Sequence, residues 1–157
     1  MAGIVLHTME YMGNPIAEEI ILRNYIDCDY EEYKRIYEAA FHEMRVALQL
    51  QPYNCCDTKE ELLSKRNDIY IYAENETLIG AIAIYENEID DFVIDKAFQH
   101  KGYGKKILSF AVAYMQKKNI FPITLKVTDW NKRAITMYEQ SGFVITKTET
   151  IDQKVKQ

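Results

Sequence analysis

Residues 99–106 (QHKGYGKK) combine two glycines with amide and cationic side chains, a composition suited to binding phosphate groups. They lie between Phe92-Val93-Ile94, an apolar run typical of a strand, and apolar residues that recur at helical spacing from Ile107 onwards. Gly102 and Gly104 permit backbone torsions that side chains forbid and leave room for a ligand at the main chain. A helix that begins at this turn directs unpaired N–H groups and the positive end of its dipole outward. The segment therefore predicts a phosphate-binding turn, although the pattern also fits an ordinary connection between a strand and a helix.

Two better-known glycine motifs do not fit this segment. The chain contains no GxxxxGK[ST] sequence, and the dinucleotide fingerprint requires a third glycine at the position of Ile107. A nicotinamide cofactor is therefore disfavoured.

A second motif lies downstream, at residues 131–143 (NKRAITMYEQSGF). Asn131 is a good N-cap, and Gly142 is a good left-handed residue just past a helix C-terminus. Between them, Asn131, Ala134 and Tyr138 fall on one face of the predicted short helix. That face lets a ligand approach closely while an amide and a phenol reach it.

Together the two motifs resemble the GNAT superfamily of N-acetyltransferases over roughly residues 88–145. The family's acetyl-CoA signature, Q/R-x-x-G-x-G/A, is matched by Gln99, Gly102 and Gly104. The resemblance implies acetyl-CoA as cosubstrate, with its pyrophosphate at the glycine turn and its pantetheine arm paired with the main chain of a splayed strand. The residues that it places at the cosubstrate are Phe92, Val93, Ile94, Gln99, His100, Lys101, Gly102, Tyr103, Gly104, Lys105, Asn131 and Tyr138.

Tyr138 is the catalytic acid that the resemblance implies. Its hydroxyl would protonate the thiolate that leaves when the thioester is cleaved. The alternative is structural, because Tyr138 and Phe143 occupy the positions that make the hydrophobic contact at a helix C-cap. Both roles are compatible, since the ring can pack while the hydroxyl faces a cleft.

The general base is predicted among the acidic residues that open the strand at residues 88–94. Glu88 lies six residues before Ile94, where several members of the family that this chain resembles carry their base. Strict alternation puts Glu88 and Asp90 on the face of Phe92 and Asp91 on the opposite face. Glu88 or Asp90 is therefore the predicted base, directly or through water. The alternative is a solvated strand end that discourages aggregation.

The implied reaction is transfer of an acetyl group from acetyl-CoA to a primary amine by direct attack in a ternary complex. The acceptor is a small-molecule or peptide amine. The residues predicted to form the wall of its binding site are Tyr37, Phe41, Arg45 and Tyr53. Arg45 either recognises a substrate carboxylate or pairs with an acid such as Glu43. The alternative functions are a non-catalytic acyl-CoA-binding sensor or scaffold and, more distantly, a nucleotide-binding interaction domain.

Composition agrees with one compact domain of 157 residues, 48% of them hydrophobic. A net charge of −5 disfavours nucleic acid as a partner, because phosphate binding needs clustered cations. Cys28, Cys55 and Cys56 form neither a disulfide framework nor a metal-ligand pattern, so we expect a reducing cytoplasmic setting and no metal. No apolar run approaches the length of a membrane span, and a monomer or a homodimer is expected.

Periodicity and chain breakers predict the order βααβββαβαβ. The fold class is α/β (α+β), and the resemblance implies a single GNAT-like domain with a central mixed, mostly antiparallel sheet flanked by helices. The parallel strands 88–94 and 123–128 should be joined by a right-handed crossover and splay apart. The first predicted strand is 19–25. Local residue patterns also predict a helix-capping box at residues 58–61 and a hairpin turn at residues 75–76.

The N-terminal segment, residues 1–18, is predicted as an extension of the acetyltransferase domain at residues 19–157. Residues 4–11 (IVLHTMEY) could add an edge strand, because the strand that many relatives place after the Gly-Phe strand is expected to be missing here. The alternatives are a floppy N-terminus and an edge filled by a second chain.

Overall fold

A computed structural model describes residues 3–152 as a twisted sheet with helices on both faces. The strands are β1 (Ile4–Tyr11), β2 (Arg23–Asn24), β3 (Ile69–Glu74), β4 (Thr77–Tyr85), β5 (Glu88–Ile94), β6 (Thr124–Thr128) and β7 (Phe143–Ile151). The α-helices are α1 (Tyr30–Ala47), α2 (Lys59–Ser64), α3 (Tyr103–Lys117) and α4 (Lys132–Gln140). The predicted α/β class is confirmed.

The seven strands form one mixed sheet in the order β2-β3-β4-β5-β6-β1-β7. Every pair is antiparallel except β5 with β6. β1 pairs with β6 on one side and with β7 on the other, so it is an interior strand. The expectation of an added edge strand is therefore wrong in position, because β7 takes the end of the sheet.

The strand predicted at residues 19–25 is wrong for most of its length. Only Arg23 and Asn24 join the sheet, as β2 beside β3. The apolar run before them does alternate, with Ile20 and Leu22 packed in one cluster and Ile21 87% exposed, but its residues have no register partners in the sheet among the described residues. With β1 added in front and β2 shortened, the element order is ββααβββαβαβ.

Local sequence signals place the remaining elements correctly. Thr58 and Glu61 form the predicted capping box, in which each side chain accepts a hydrogen bond from the other residue's N–H. Asn75 and Glu76 both have positive φ in the turn between β3 and β4, as a tight hairpin requires. Gly142 has φ +104 and ends α4 as predicted.

Two apolar clusters cover the two faces of the sheet. α3 and α4 pack on one face, where Ile107, Leu125 and Phe143 are buried. α1 and α2 pack on the other, where Tyr33, Leu62 and Ile71 are buried. The helices thereby hold the strands whose ends carry the predicted functional residues.

Candidate functional site

The site is built around the point where β5 and β6 separate. The parallel register joins Glu88 to Thr124 and Ile89 to Leu125, and both strands then continue without further register pairs between them. The predicted splay is thus present, and the main chain of β5 beyond Ile89 faces an opening instead of a neighbouring strand. Backbone groups along such an opening can bind an extended ligand that carries amides.

The glycine turn lies at the end of this opening. Gly102 is the N-cap of α3 with φ +89, a torsion that favours glycine. A Cβ at Gly104 would lie 3.6 Å from the sulfur of Met137 and 3.7 Å from the ring of Phe92, so the start of α3 packs close to both α4 and β5. The first N–H groups of α3 lack intrahelical partners and point out of the helix. This arrangement fits a phosphate-bearing ligand.

The other predicted turn residues have varied contacts. Gln99 donates from Nε2 to the carbonyl of Ile94 at 3.3 Å, which ties the turn to the end of β5. His100 has φ +64 and is exposed. The Nζ atom of Lys101 lies 5.8 Å from the ring centre of Phe98. Lys105 is exposed on the first turn of α3.

Tyr103 is directed elsewhere than the opening. Its hydroxyl donates to Glu74 at 3.2 Å, and its ring packs near those of Tyr72 and Phe98. Within the predicted set, the side chain of Tyr103 therefore tethers the turn to the β3–β4 hairpin, and only its backbone is offered to a ligand.

Asn131 and Tyr138 sit on α4, which begins directly after β6. The Oδ1 atom of Asn131 accepts a hydrogen bond from the N–H of Ala134 at 3.2 Å, which confirms the predicted N-cap. Tyr138 is buried, with its ring 6.5 Å from that of Phe92 on β5 and 6.0 Å from that of Phe143. The predicted packing contact with Phe143 is therefore confirmed.

The electrostatic surroundings of Tyr138 suit a proton donor. Burial, and then the charge of Asp90, raise the pKa of the Tyr138 hydroxyl well above its usual value. The group is therefore protonated at neutral pH.

β5 does not alternate strictly, because it carries a bulge. Ala81 pairs with Val93 and Ala83 pairs with Asp90, so Asp91 and Phe92 together oppose a single residue of β4. Asp91 has φ +47, a left-handed torsion that costs a residue other than glycine about 1–3 kcal/mol.

The bulge corrects the predicted faces of β5. Ile89 packs in the same apolar cluster as Phe92 and Ile94, although strict alternation would put Ile89 on the opposite face from them. Val93 packs in the other cluster. Glu88 and Asp90 therefore do not share the face of Phe92. Asp90 pairs with Ala83 of the other cluster, and the Glu88 carboxylate lies 3.7 Å from the Nζ atom of Lys126 on β6.

Asp90 has the altered acidity expected of a general base. It keeps substantial solvent exposure, yet partial withdrawal of its carboxyl from water and the charges of Asp91 and Glu88 raise the pKa of Asp90 to about 6. A carboxylate with this pKa is ionised at neutral pH and can still accept a proton effectively. Between the two predicted bases, this property favours Asp90.

The predicted acceptor wall is only partly assembled. The rings of Tyr37 and Phe41 pack 4.8 Å apart on α1, on the side of the sheet that Asp91 faces. Arg45 is buried and donates from Nε to the carbonyl of Pro52 at 2.7 Å, so it holds the loop after α1 instead of pairing with Glu43. Tyr53 lies in that loop, where its hydroxyl contacts Gln51.

Sequence reasoning missed two features around the opening. An open groove of about 530 Å³ lies along α4, and its lining is cationic and polar with one thioether. Residues spaced three and four apart lie on the same side of a helix, and this spacing in the sequence could have indicated the shared surface. The residues that line it are Lys132, Arg133, Thr136, Met137 and Gln140.

The second missed feature is a contact between α1 and the segment that joins β5 to the glycine turn. Asp95 is buried at the end of β5, where it accepts a hydrogen bond from Arg35 at 2.8 Å and another from the N–H of Ala97 at 3.0 Å. An aspartate just after a strand is a recognisable turn signal. Its partner on α1 could not be read from the sequence.

Residues 3–152 contain neither a metal-binding cluster nor a helix that could span a membrane. No cluster of three or more His, Cys, Asp or Glu side chains there is placed to hold a metal ion. None of the helices in this range is both long and apolar enough to cross a membrane. Cys28, Cys55 and Cys56 are free thiols.

Comparisons with known proteins agree with this geometry. The model of the acetyltransferase (GNAT) family matches residues 27–143. A curated relative, the ribosomal protein bS18-alanine N-acetyltransferase of Haemophilus ducreyi, is 28% identical over 121 residues, covering 72% of this chain and 77% of the relative. The mycothiol acetyltransferase of Propionibacterium freudenreichii is 32% identical over 56 residues, 36% of this chain and only 18% of that protein.

Solved structures share the fold at low sequence identity. A PaiA N-acetyltransferase from Thermoplasma acidophilum in complex with coenzyme A has a TM-score of 0.64 and 22% identity, covering 82% of this chain and 92% of that one. A GNAT-family acetyltransferase from Colwellia psychrerythraea has a TM-score of 0.69 and 11% identity, covering 93% of this chain. This chain spans 54% of the length of the Colwellia protein.

Proposed function

We propose, from the premise that this chain belongs to the GNAT family of acetyltransferases, that it transfers an acetyl group from acetyl-CoA to a primary amine. Family membership supports acyl transfer from acetyl-CoA in general. The proposal adds an amine acceptor and direct attack within a ternary complex. In it, Asp90 accepts the proton of the amine and Tyr138 protonates the departing thiolate.

The observation that carries the proposal is the separation of β5 from β6 after Ile89. This opening is bordered by the glycine turn at one end, and the ring of Tyr138 lies 6.5 Å from that of Phe92 on β5. The order of these features along one cleft matches what acetyl-CoA requires: donors for its phosphates, a free strand edge for its pantetheine amides and a neutral hydroxyl near its sulfur.

The roles of acid and base follow from the protonation states of the two groups at neutral pH. Burial raises the pKa of Tyr138 and keeps its hydroxyl protonated, whereas Asp90, with a pKa of about 6, is ionised at neutral pH. One group therefore has a proton to give, and the other can receive one. Glu88 is the alternative base, but its carboxylate is paired with the Nζ atom of Lys126 at 3.7 Å.

The acceptor belongs to one of two classes, small-molecule amines and peptide amines. The name of the Haemophilus relative specifies an alanine of a ribosomal protein, which supports including peptides with N-terminal alanine among the candidates. We also propose a reducing cytoplasmic setting, supported by the three free thiols. We further propose that the protein acts as a monomer or a homodimer and does not bind nucleic acid.

The test is a screen of CoA release with a thiol reagent, in which acetyl-CoA is offered with small amines, polyamines, amino acids and peptides that begin with alanine. We expect CoA release that requires both the enzyme and a particular amine, with the acetylated amine identified by mass spectrometry. Tight binding of CoA measured by calorimetry, without turnover across the panel, would instead indicate a non-catalytic acyl-CoA-binding module.

Tyr138→Phe should lower kcat with the accepted amine by about 10²-fold, because the thiolate would leave without a proton donor. The ring contacts with Phe92 and Phe143 remain in this variant, so its unfolding midpoint and its affinity for acetyl-CoA should stay close to wild type. Steady-state kinetics and thermal unfolding measure both quantities. An unchanged kcat would mean that Tyr138 serves packing alone.

A further inference from the structure

Asp91 lies at the bulge of β5 and is held from two elements at once. Its Oδ1 atom accepts a hydrogen bond from the Tyr37 hydroxyl of α1 at 2.8 Å, and its Oδ2 atom accepts one from the Tyr85 hydroxyl of β4 at 3.1 Å. Its own N–H donates to Oδ1 of Asp90 at 2.7 Å. The left-handed torsion of Asp91 is therefore fixed by its side chain and coupled to the orientation of Asp90.

We propose that Asp91 is a positioning residue, whose carboxylate, held by the hydroxyls of Tyr37 and Tyr85, fixes the bulge that presents Asp90 to the cleft. This rests on the proposed function, in which Asp90 is the base. In this arrangement α1 and β4 contribute to catalysis indirectly, through hydroxyl groups that position Asp91.

The two tyrosines are suited to hold a carboxylate. Burial, and then the charge of Asp91, raise the pKa of Tyr37 and of Tyr85, so both hydroxyls stay protonated and donate. Lys65 supports Tyr85 in turn, with its Nζ atom 5.2 Å from the centre of that ring and paired with Asp57. The clamp therefore extends from α1 across β4 to the end of α2.

Asp91 also contributes charge to the environment of Asp90. After burial, the negative charge of Asp91 is the main influence that keeps the pKa of Asp90 near 6. Several other titratable groups face this pair of carboxylates from neighbouring elements, and they remain in place when Asp91 is changed. These groups are Glu88, Tyr33, Tyr37, Cys56, Lys65, Tyr85 and Tyr138.

The experiment compares four variants of the full chain. Asp91→Asn removes the charge while asparagine tolerates the left-handed torsion, and Asp91→Gly allows the torsion without any side chain. Tyr37→Phe combined with Tyr85→Phe removes both clamping hydroxyls and leaves the carboxylate. Tyr11→Phe is the matched control, because its hydroxyl donates to the carbonyl of Asn14 and to neither aspartate.

The first readout is titration of the Asp90 carboxyl by carbon-13 NMR, with its signal assigned from its loss in Asp90→Asn. We expect a midpoint near pH 6 in the wild type and in the control, and a midpoint at lower pH in both Asp91 variants. The second readout is kinetic. The double tyrosine variant and Asp91→Gly should lower kcat by about 10²-fold. Asp91→Gly, which leaves the predicted acceptor wall intact, should do so with little change in KM for the amine, because a misplaced base slows chemistry without weakening binding.

Other results would overturn the inference. An Asp90 midpoint that is the same in wild type and both Asp91 variants, or a raised KM for the amine with kcat preserved, would make Asp91 inert or a substrate-binding group. The titration needs no turnover, so it separates this inference from the proposed function. If no amine were acetylated and the midpoint still shifted, the proposed function would fail while the coupling of Asp91 to Asp90 stood.

Discussion

Asp90→Asn is expected to lower kcat/KM for the amine by about 10²–10⁴-fold at neutral pH, the range that general-base catalysis contributes. In the wild type, kcat/KM should show an additional decrease below pH 6, because protonation of Asp90 with its pKa of about 6 removes the base. The asparagine variant should lack that decrease. Initial rates between pH 5 and pH 9 with the accepted amine measure both effects.

Glu88→Gln provides the matched control for this prediction. Glu88 lies on the same strand and is paired with Lys126, so its loss should change kcat/KM by less than about tenfold. The reverse result, with a large loss in Glu88→Gln and a small loss in Asp90→Asn, would assign the base to Glu88.

Stability separates a catalytic effect from a folding effect in Asp90→Asn. Because the pKa of Asp90 is raised in the folded state, the carboxylate is disfavoured there, and folding loses stability as pH rises from the unfolded pKa to about 6. Above pH 6 that loss is complete, and the neutral asparagine avoids it. The variant should therefore unfold at the same temperature as the wild type or higher at pH 8, although its activity is low.

Met9→Asp should lower the free energy of unfolding by more than about 4 kcal/mol, a loss comparable with the whole stability of many domains. Met9 on β1 is fully buried in the cluster beneath α3 and α4, and it lies opposite Leu125 and Ile145 in the sheet. An unpaired carboxylate among these side chains has no partner and no water. Urea unfolding followed by circular dichroism measures the loss.

The control for Met9→Asp is the same change three residues further along the chain. Met12 follows β1 and is 58% exposed, so Met12→Asp should alter the free energy of unfolding by no more than about 0.5 kcal/mol. Met9→Leu conserves volume and should cost less than about 1.5 kcal/mol. A small effect of Met9→Asp would mean that the N-terminal strand is not part of the core in solution.

The features that could be predicted from the sequence are those with local causes. The N-cap at Asn131, the left-handed glycines at 102 and 142 and the capping box at Thr58 each depend on residues within one turn of chain. The separation of β5 and β6 was available only through resemblance to a family, because no pattern of side chains requires two strands to diverge.

The features that could not be predicted depend on distant partners. β1 has the alternation of a strand, but nothing in residues 4–11 states that its neighbours are β6 and β7. The bulge at Asp91 contains no glycine that would indicate it, and the hydroxyls that bind the Asp91 carboxylate lie on distant elements, α1 and β4. Face assignments on β5 failed because the bulge shifts the alternation of the strand.

The interior place of β1 also shapes how the protein is made. His7 on β1 bonds to Asp129 and Thr148, residues that lie 122 and 141 positions later in the chain. At typical rates of synthesis, about 5–20 residues per second, β1 waits about 7–28 s before β7 has been translated. A nascent chain that ends before β7 therefore leaves one edge of β1 without its partner strand, even where β6 has already paired with the other edge.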